Sequence, residues 1–413
     1  MQLTYSKFEH ELNRFLKGYL KDDSYDHLRE RLDLPEKEVD RVSEKINDFY
    51  KEQLKIDNHQ SKDRLRIDRI ITFSEKTLQA EKFCKFLNEL AHICIAEGKL
   101  DLANEIFRKA NKLGTSEITQ AESLLGLAEV FSRRANWTRS LEAVNNAKSL
   151  YKSANDYRGL AKCENLLGTI YGELGDILKA KKYLLSSLSL INSDDDVELA
   201  ANLYTNLGIV YNIQENTTDS INYLNKALKL YNVLGKHKNI SEVNLNIGLV
   251  HFDAGNNDEA IKAFDKAIEI AQQGNYLSVL CLLYLAKAEV LIKIKNFYYA
   301  SEFADKALEI SHNADDKLTL ADIYKVKGIV ARESNDFEAS ETYFLNSLRI
   351  NNSFNNEMNA AEVSFELGIL YEKTNNLKSK KAYLTKSKEY FSSISAPAKA
   401  DMIQKLLEFN SAS

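Results

Sequence analysis

The apolar positions of the chain recur on two scales. Within short segments they fall three and four residues apart, which places them on one face of a helix. These segments also repeat along the chain, and one position of each copy holds only Gly or Ala. This small slot is occupied by Ala91, Ala128, Gly168, Gly208, Gly248, Ala288, Gly328 and Gly368, at a first interval of 37 residues and then six intervals of 40. The pattern predicts eight copies of one helical unit.

Further slots divide each copy into two helices. The residue before the small slot is large and apolar in six copies, with Lys287 and Lys327 as departures. Twelve residues after the small slot stands Ala or Ser in seven copies, and Lys380 in the eighth. A third small slot follows seven residues later, from Ala110 to Ser387. Small residues let two helices approach closely, so each copy is predicted to be a helix pair that stacks on the next.

Turn-forming residues separate the predicted helices. Within pairs, the turns are expected at Gly98, Gly175, Glu215–Asn216 and Gly255–Asn256. Between pairs, residues suited to cap a helix N-terminus stand at Asp156, Asp196, Asn239, Asp316 and Asn356. Since neither helix can bury its apolar face alone, the pairs must stack.

These slots resemble the tetratricopeptide repeat (TPR), in which Leu-Gly, Tyr, Ala, Phe and Ala recur at the same offsets. The segment from Thr205 to Tyr211, followed by Ala227, is similar to a full copy. The usual period of the family is 34 residues, whereas this chain has 40 and lacks the usual proline after the second helix. The longer form is similar to repeats of kinesin light chains and of bacterial Rap-type peptide receptors. The resemblance implies an all-α, right-handed superhelical α-solenoid of about eight TPR helix pairs with helical caps.

We predict four parts in chain order. Residues 1–60 form an N-terminal helical region, residues 61–80 a leading helix, residues 81–391 eight repeats, and residues 392–413 a C-terminal capping helix with a tail. In the leading helix, the residues expected to pack over the first repeat are Ile67, Ile70, Ile71 and Leu78. One capping helix is indicated by Pro397 at its first position and by the apolar residues Met402, Ile403, Leu406 and Leu407.

Residues 28–39 of the N-terminal region faintly resemble a helix-turn-helix. Asp33 replaces the usual turn glycine, and Arg29 replaces the small residue that lets the two helices cross. The second helix would begin with the acidic segment 36–40, which DNA phosphates repel. We therefore favour a helical cap or a partner-docking bundle over DNA binding.

Composition agrees with stacked amphipathic helices, since 44% of residues are hydrophobic, 28% are charged and only 2 are proline. The net charge of −5 argues against general nucleic-acid binding, which needs a basic excess to neutralise phosphates. No apolar run approaches the roughly 20 residues that cross a bilayer, and the N-terminus lacks the apolar core of a secretion signal. We predict a cytoplasmic protein with no nucleic-acid and no membrane partner.

No catalytic pattern stands out among the chemically reactive residues. The four cysteines are far apart, which favours small buried hydrophobes in a reducing compartment over metal ligands or disulfides. The seven histidines are scattered, and His251 occupies the aromatic slot of its repeat, which favours a core residue. Phosphate-binding glycine loops are missing. We therefore predict no enzymatic activity, no metal site and no cofactor.

In the TPR family the first helix of each pair lines the concave side. Offsets of three and four from the buried slots give a candidate ligand-binding groove of Asn165, Asn202, Asn206, Ile209, Asn212, Asn246, Leu249 and Phe252. An asparagine amide both donates and accepts, so it can pair with a peptide backbone of any sequence. The apolar residues can receive ligand side chains.

Farther along the same side, acidic residues outnumber basic ones. The acidic residues are Asp322, Glu333, Glu362, Glu366 and Glu372, and the basic ones are Lys325, Arg332 and Lys373. This excess favours a partner with basic residues at that end.

The sequence thus predicts a protein-interaction scaffold that holds a peptide or a helix of a partner in the groove. The alternative is a Rap-type signalling regulator, in which a bound peptide shifts how the N-terminal helices engage an effector. Homo-oligomers formed through the solenoid ends are a further open alternative.

Overall fold

The structure, a computed structural model, describes residues 7–32, 58–192, 196–311, 317–354, 356–393 and 397–408. Over these ranges every regular element is an α-helix, which confirms the all-α prediction. The helices are α1 Lys7–Tyr19, α2 Asp22–Leu32, α3 Asn58–Thr77, α4 Ala80–Ala96, α5 Leu100–Leu113, α6 Glu117–Arg133, α7 Trp137–Ser153, α8 Tyr157–Glu173, α9 Ile177–Ser189, α10 Val197–Ile213, α11 Thr217–Val233, α12 His237–Asp253, α13 Asn257–Gln273, α14 Leu277–Lys293, α15 Phe297–Ser311, α16 Lys317–Glu333, α17 Phe337–Ser353, α18 Glu357–Lys373, α19 Leu377–Ser393 and α20 Pro397–Glu408. No helix among them is both long and apolar enough to span a membrane.

The helices form two compact units, Met1–Leu199 and Ala200–Ser413. In the first unit, α4 pairs with α5, α6 with α7 and α8 with α9. In the second unit, α12 pairs with α13, and the same pattern continues through α18 and α19. Each small slot of the sequence lies in the first helix of a pair, where the two helices approach most closely.

The small slot is small because the second helix fills its space. A Cβ atom on Gly208 would lie 2.6 Å from Cγ of Leu224, and one on Gly248 would lie 2.3 Å from Cε1 of Phe264. The neighbouring serine slot adds a hydrogen bond, since the Ser220 hydroxyl donates to the carbonyl oxygen of Gly208 at 2.7 Å. This bond satisfies a polar group inside the core.

The turn inside each pair has one conformation throughout. Its central residue lies in the left-handed region, with φ between 52° and 81°, at Gly98, Ala135, Gly175, Glu215, Gly255, Lys295, Asn335 and Asn375. At α10 the N–H of Asn216 donates to the carbonyl oxygen of Tyr211 at 2.9 Å, which closes the helix end. The Asn216 side chain then accepts from the N–H of Asp219 at 3.2 Å and caps α11.

The predicted caps between pairs have mixed outcomes. Asp156 accepts from a backbone N–H at the start of α8, and Asn356 does so at the start of α18, so both predictions are confirmed. The prediction for Asn239 is wrong, because α12 already begins at His237 and Asn239 lies in its first turn. Asp316 lies outside the described residues.

The lysines that break the apolar and small slots keep their charge paired. Lys287 forms an ion pair with Asp265, and its ammonium nitrogen lies 4.4 Å from the centroid of the Phe303 ring. Lys327 forms the equivalent ion pair one repeat later. Lys380 is buried, and its ammonium lies 2.7 Å from a carboxylate oxygen of Glu372. A long aliphatic stem therefore replaces an apolar or small side chain without leaving an unpaired charge.

The four cysteines are free and buried, as predicted. At the N-terminal side, Ile67, Ile70 and Ile71 of α3 are buried in one core cluster with residues of α1, α4 and α5. At the other end, Ile403 of α20 is fully buried, but Met402 is 43% exposed. Met402 and Ile403 differ in exposure because successive residues of a helix point about 100° apart. Of residues 28–39, which resemble a helix-turn-helix, residues 33–39 lie outside the described residues.

Candidate functional site

The first helices of the second unit present a common surface, which we call the inner face: the solvent side of α10, α12, α14, α16 and α18. Successive first helices pack directly on one another, α12 on α14, α14 on α16 and α16 on α18. Among the described helices of this unit, no contact of similar extent joins successive second helices. The first helices are therefore closer together and lie on the inner side of the stack.

Seven of the eight predicted groove residues lie on first helices of the second unit, and one lies elsewhere. Asn165 lies on α8, in the first unit. The other seven lie in the second unit, on α10 and α12: Asn202, Asn206, Ile209, Asn212, Asn246, Leu249 and Phe252. The seven residues thus lie on two successive first helices, α10 and α12.

Several of the predicted asparagines already have partners inside the protein. The hydroxyl of Tyr231 donates to Oδ1 of Asn202 at 2.5 Å. The Nδ2 atom of Asn212 donates to Oδ2 of Asp253 at 2.7 Å, which links α10 to α12. Asn165 and Asn206 are half-buried and also interact with neighbouring groups. A ligand can therefore use only those donor and acceptor atoms of these amides that are not already engaged within the protein.

Asn246 differs from these amides. It is half-buried on α12, and no hydrogen bond joins its side chain to any other described residue. Leu249 and Phe252 lie one and two turns farther along α12 and are partly buried against the core. Ile209 on α10 is 38% exposed. An amide with free donor and acceptor groups beside partly exposed apolar side chains can bind an extended peptide backbone.

The acidic residues farther along the inner face are paired within the protein. Arg332 lies 2.6 Å from Glu366 and 2.9 Å from Glu333, and Lys373 lies 2.9 Å from Glu333. The arginine and the lysine are enough to hold the pKa of Glu333 below its usual range, although partial burial acts in the opposite direction.

A second charged chain runs from α16 to α20. Glu362 lies 3.0 Å from Lys325 and 3.2 Å from Lys399, and Asp322 accepts from Nδ2 of Asn359 at 3.0 Å. Burial would raise the pKa of Glu362, but the two lysines outweigh it and lower that pKa. The acidic excess expected from the sequence is thus largely neutralised inside the protein, which weakens the expectation of a basic partner at this end.

Glu289 on α14 is an inner-face residue that the sequence reasoning missed. Burial raises the pKa of its carboxyl, and Asp322, Glu362 and Asp253 add to the increase while Lys325 opposes it. The 40-residue period contained the signal, because Glu289 stands 40 residues after Leu249 and 80 after Ile209. The slot that is apolar in two repeats holds a half-buried carboxylate in the third.

Comparison with known families identifies the repeat. Residues 199–273 and 165–194 match family models for the tetratricopeptide repeat. The prediction of tetratricopeptide repeats is confirmed, and the two matched segments lie between the middle of α8 and the end of α13 and include every predicted groove residue. No curated protein matches the chain.

Solved structures share the fold at low sequence identity. One is a signal transduction ATPase with numerous domains, a protein from Pyrococcus horikoshii with a tetratricopeptide repeat sensor, at TM-score 0.58 and 15% identity over 83% of this chain. The match spans 52% of that protein, about half its length. A Rap protein complexed with Competence and Sporulation Factor matches at TM-score 0.56 and 16% identity, over 84% of this chain and 99% of the other. The quorum sensor NprR from B. thuringiensis matches at TM-score 0.52 and 14% identity, over 80% and 99%. At these identities the likeness shows the fold alone.

Proposed function

We propose that this chain is a non-catalytic protein-interaction scaffold, which holds an extended peptide or a helix of a partner on the inner face of α10 and α12. The observation that carries the proposal is the half-buried amide of Asn246, which has no partner among the described side chains, next to Leu249, Phe252 and Ile209. An unused amide costs free energy when it is desolvated alone, and a peptide backbone would supply both of its partners. The cytoplasmic location, the lack of nucleic-acid partners and self-association through the ends stay predictions.

The test begins with peptides selected from a random displayed library on the full-length protein. For the selected peptide, Asn246→Ala should weaken binding by about 1–3 kcal/mol, or roughly five- to a hundred-fold, because the peptide loses a hydrogen bond and leaves a desolvated group. The melting temperature should barely change, since the Asn246 side chain makes no hydrogen bond to another described residue.

The matched control is Asn145→Ala, the same truncation at an exposed position on α7, which should leave the affinity unchanged. Asn206→Ala is a second probe, but Asn206 has an internal partner, so its melting temperature must be measured as well. If Asn246→Ala and Asn145→Ala bind the peptide as the parent does, the inner face of α12 is not the ligand surface.

The second candidate is a Rap-type regulator, in which the peptide changes how the N-terminal helices engage an effector. It is supported by the shared fold with a Rap protein and with the sensor NprR, and by ion pairs that join the N-terminal helices to each other and to the first repeat, Arg66 with Glu9 and Lys99 with Asp63. Hydrogen exchange separates the candidates. A regulator should show changed exchange in α1–α3 when the peptide binds, whereas a scaffold should show protection in α10 and α12 only.

A further inference from the structure

One column of side chains on the inner face is apolar on four of its five helices and acidic on the fifth. The residue after the small slot is Ile209 on α10, Leu249 on α12, Glu289 on α14, Ile329 on α16 and Ile369 on α18. Ile209 is exposed and the other four are half-buried. A half-buried charge is costly unless another group pairs with it, so the carboxylate in this apolar column needs a physical reason.

Glu289 has no partner in the part of the protein that the structure describes. No ion pair and no hydrogen bond joins its carboxylate to another described residue. Burial is the largest cause of the raised pKa of this carboxyl, and the charge of Lys325 is not enough to reverse the increase. The surroundings of Glu289 therefore disfavour its charged form, whereas a cation supplied by a ligand would favour that form.

The lysines around Glu289 are engaged with other groups. The ammonium nitrogen of Lys325 lies 3.0 Å from a carboxylate oxygen of Glu362. Lys293 lies one turn after Glu289 on α14, but its ammonium nitrogen donates to the carbonyl oxygen of Phe252 at 3.2 Å and lies 4.5 Å from the centroid of that ring. Both lysines keep their full charge, yet neither forms an ion pair with Glu289.

The other carboxylates that act on Glu289 all have partners. These pairs are Asp253 with Asn212, Asp322 with Asn359, and Glu362 with both Lys325 and Lys399. With Lys293 included, three ammonium groups accompany four carboxylates, and the carboxylate without a partner is Glu289. The unmet group is thus a single side chain at a defined position of the column.

Glu289 lies next to the proposed peptide groove. It occupies the position on α14 that Leu249 occupies on α12, and α12 packs directly on α14. The axes of packed helices are about 8–10 Å apart, and an extended chain advances about 3.3 Å per residue. A peptide that pairs with Asn246 and rests an apolar side chain on Leu249 therefore brings another side chain to Glu289 two or three residues farther along.

We propose that Glu289 selects a lysine or arginine side chain at this point of the bound peptide. The proposal rests on the proposed function, because it concerns the same peptide on the same face. A long cationic side chain packs its aliphatic stem on the apolar column at Leu249 and Ile329, and its charged end supplies the partner that Glu289 lacks. An acidic side chain would be repelled at this position, and an apolar one would leave the carboxylate unpaired.

The test uses a random displayed peptide library, selected on the full-length protein and in parallel on Glu289→Gln. Peptides selected on the parent should carry Lys or Arg two or three positions from an apolar residue, and those selected on Glu289→Gln should not. One peptide selected on the parent is then synthesised with either lysine or norleucine, a neutral analogue, at the basic position. The lysine peptide should bind the parent at least about ten-fold more tightly in fluorescence anisotropy, because charge-assisted hydrogen bonds are strong.

Three variants locate this preference for lysine. Glu289→Gln should abolish the preference without lowering the melting temperature, since its carboxyl has no internal partner. Glu302→Gln removes the same charge at an exposed position of α15 and should leave the preference unchanged. Asn246→Ala should weaken both peptides alike and also leave the preference unchanged, because it removes a contact with the peptide backbone.

Equal affinities of the lysine and norleucine peptides for the parent would overturn the proposal, and so would a preference that persists in Glu289→Gln. If Glu302→Gln reduces the preference as much as Glu289→Gln does, the attraction comes from the overall negative charge of the protein and not from Glu289. If Asn246→Ala binds both peptides as the parent does while Glu289→Gln loses the preference, the role of Asn246 in the groove is wrong and the selection by Glu289 stands.

Discussion

The substitution Gly208→Ala tests the packing of the helix pair by adding a single methyl group. That methyl would lie 2.6 Å from Cγ and 2.7 Å from Cδ2 of Leu224, and 3.3 Å from the carbonyl oxygen of Ser220. Leu224 is fully buried, so it cannot move aside without displacing other core atoms. Overpacking of this kind costs about 1–3 kcal/mol. The overpacking cost is partly offset by up to about 1 kcal/mol, since alanine is a better helix former than glycine.

Gly172→Ala provides the control because it makes the same change within a first helix. A Cβ atom on Gly172 has its nearest neighbour, Cβ of Ala180, at 3.9 Å, an ordinary contact distance. This variant should be stabilised by the higher helix propensity of alanine without being destabilised by overpacking. The difference between the two variants therefore isolates the packing cost of about 1–3 kcal/mol.

Native-state hydrogen exchange is the suitable assay, because a chain with two compact units need not unfold in one step. In a stacked repeat each pair contacts mainly its neighbours, so the faster exchange should be confined to α10, α11 and the adjoining helices. Relative to Gly172→Ala, the change corresponds to a roughly five- to hundred-fold acceleration. The double variant Gly208→Ala/Leu224→Ala should lose less stability than the sum of the two single variants. The smaller side chain at position 224 makes room for the methyl group at position 208, and that methyl group fills part of the cavity. If Gly208→Ala changes protection relative to the parent by no more than Gly172→Ala does, the close approach at Gly208 is wrong.

Two further predictions concern charge. The pKa of Glu289 is raised in the folded protein, so ionisation of this carboxyl destabilises the fold as the pH rises through that pKa. Glu289→Gln should therefore have a higher melting temperature than the parent at pH 7. The difference should disappear below about pH 4, where the carboxyl is protonated in both the folded and the unfolded protein. Equal melting temperatures at pH 7 would contradict this. The net charge of −5 predicts no saturable binding of labelled random duplex DNA below about 10 μM at low salt, whereas tight, salt-sensitive binding would revive the helix-turn-helix interpretation of residues 28–39.

Much of the fold could be predicted from the sequence because the same packing constraints recur in every repeat. The small slot recurs wherever two helices meet, and Gly208 shows why, since Leu224 occupies the space of its missing side chain. The turn positions Gly98, Gly175 and Gly255 were also found, and all adopt left-handed conformations. Periodicity served well here because each of these constraints acts between residues at most about 20 positions apart in the same repeat.

The turns also show where residue type alone was insufficient. Alanine, glutamate and lysine hold the left-handed position at Ala135, Glu215 and Lys295, although residues other than glycine and asparagine disfavour it. The stacked pairs on either side impose the turn. Likewise Asn239 suits a helix cap by type, but α12 begins two residues earlier, because tertiary packing decides where a helix starts.

The candidate site depended far more on tertiary structure. The sequence placed Asn202, Asn212 and Asn246 on one kind of surface, and it treated their amides as equally available. The fold engages the first with Tyr231 and the second with Asp253, and leaves Asn246 without a partner among the described side chains. Similarly, the acidic residues of the later repeats looked unpaired until stacking brought Arg332 within 2.6 Å of Glu366. Amphipathic periodicity reports which side of a helix is buried, because burial follows from local helical geometry. The pairing of polar groups on neighbouring helices depends on side-chain directions and distances across the stack, and only the tertiary structure decides those.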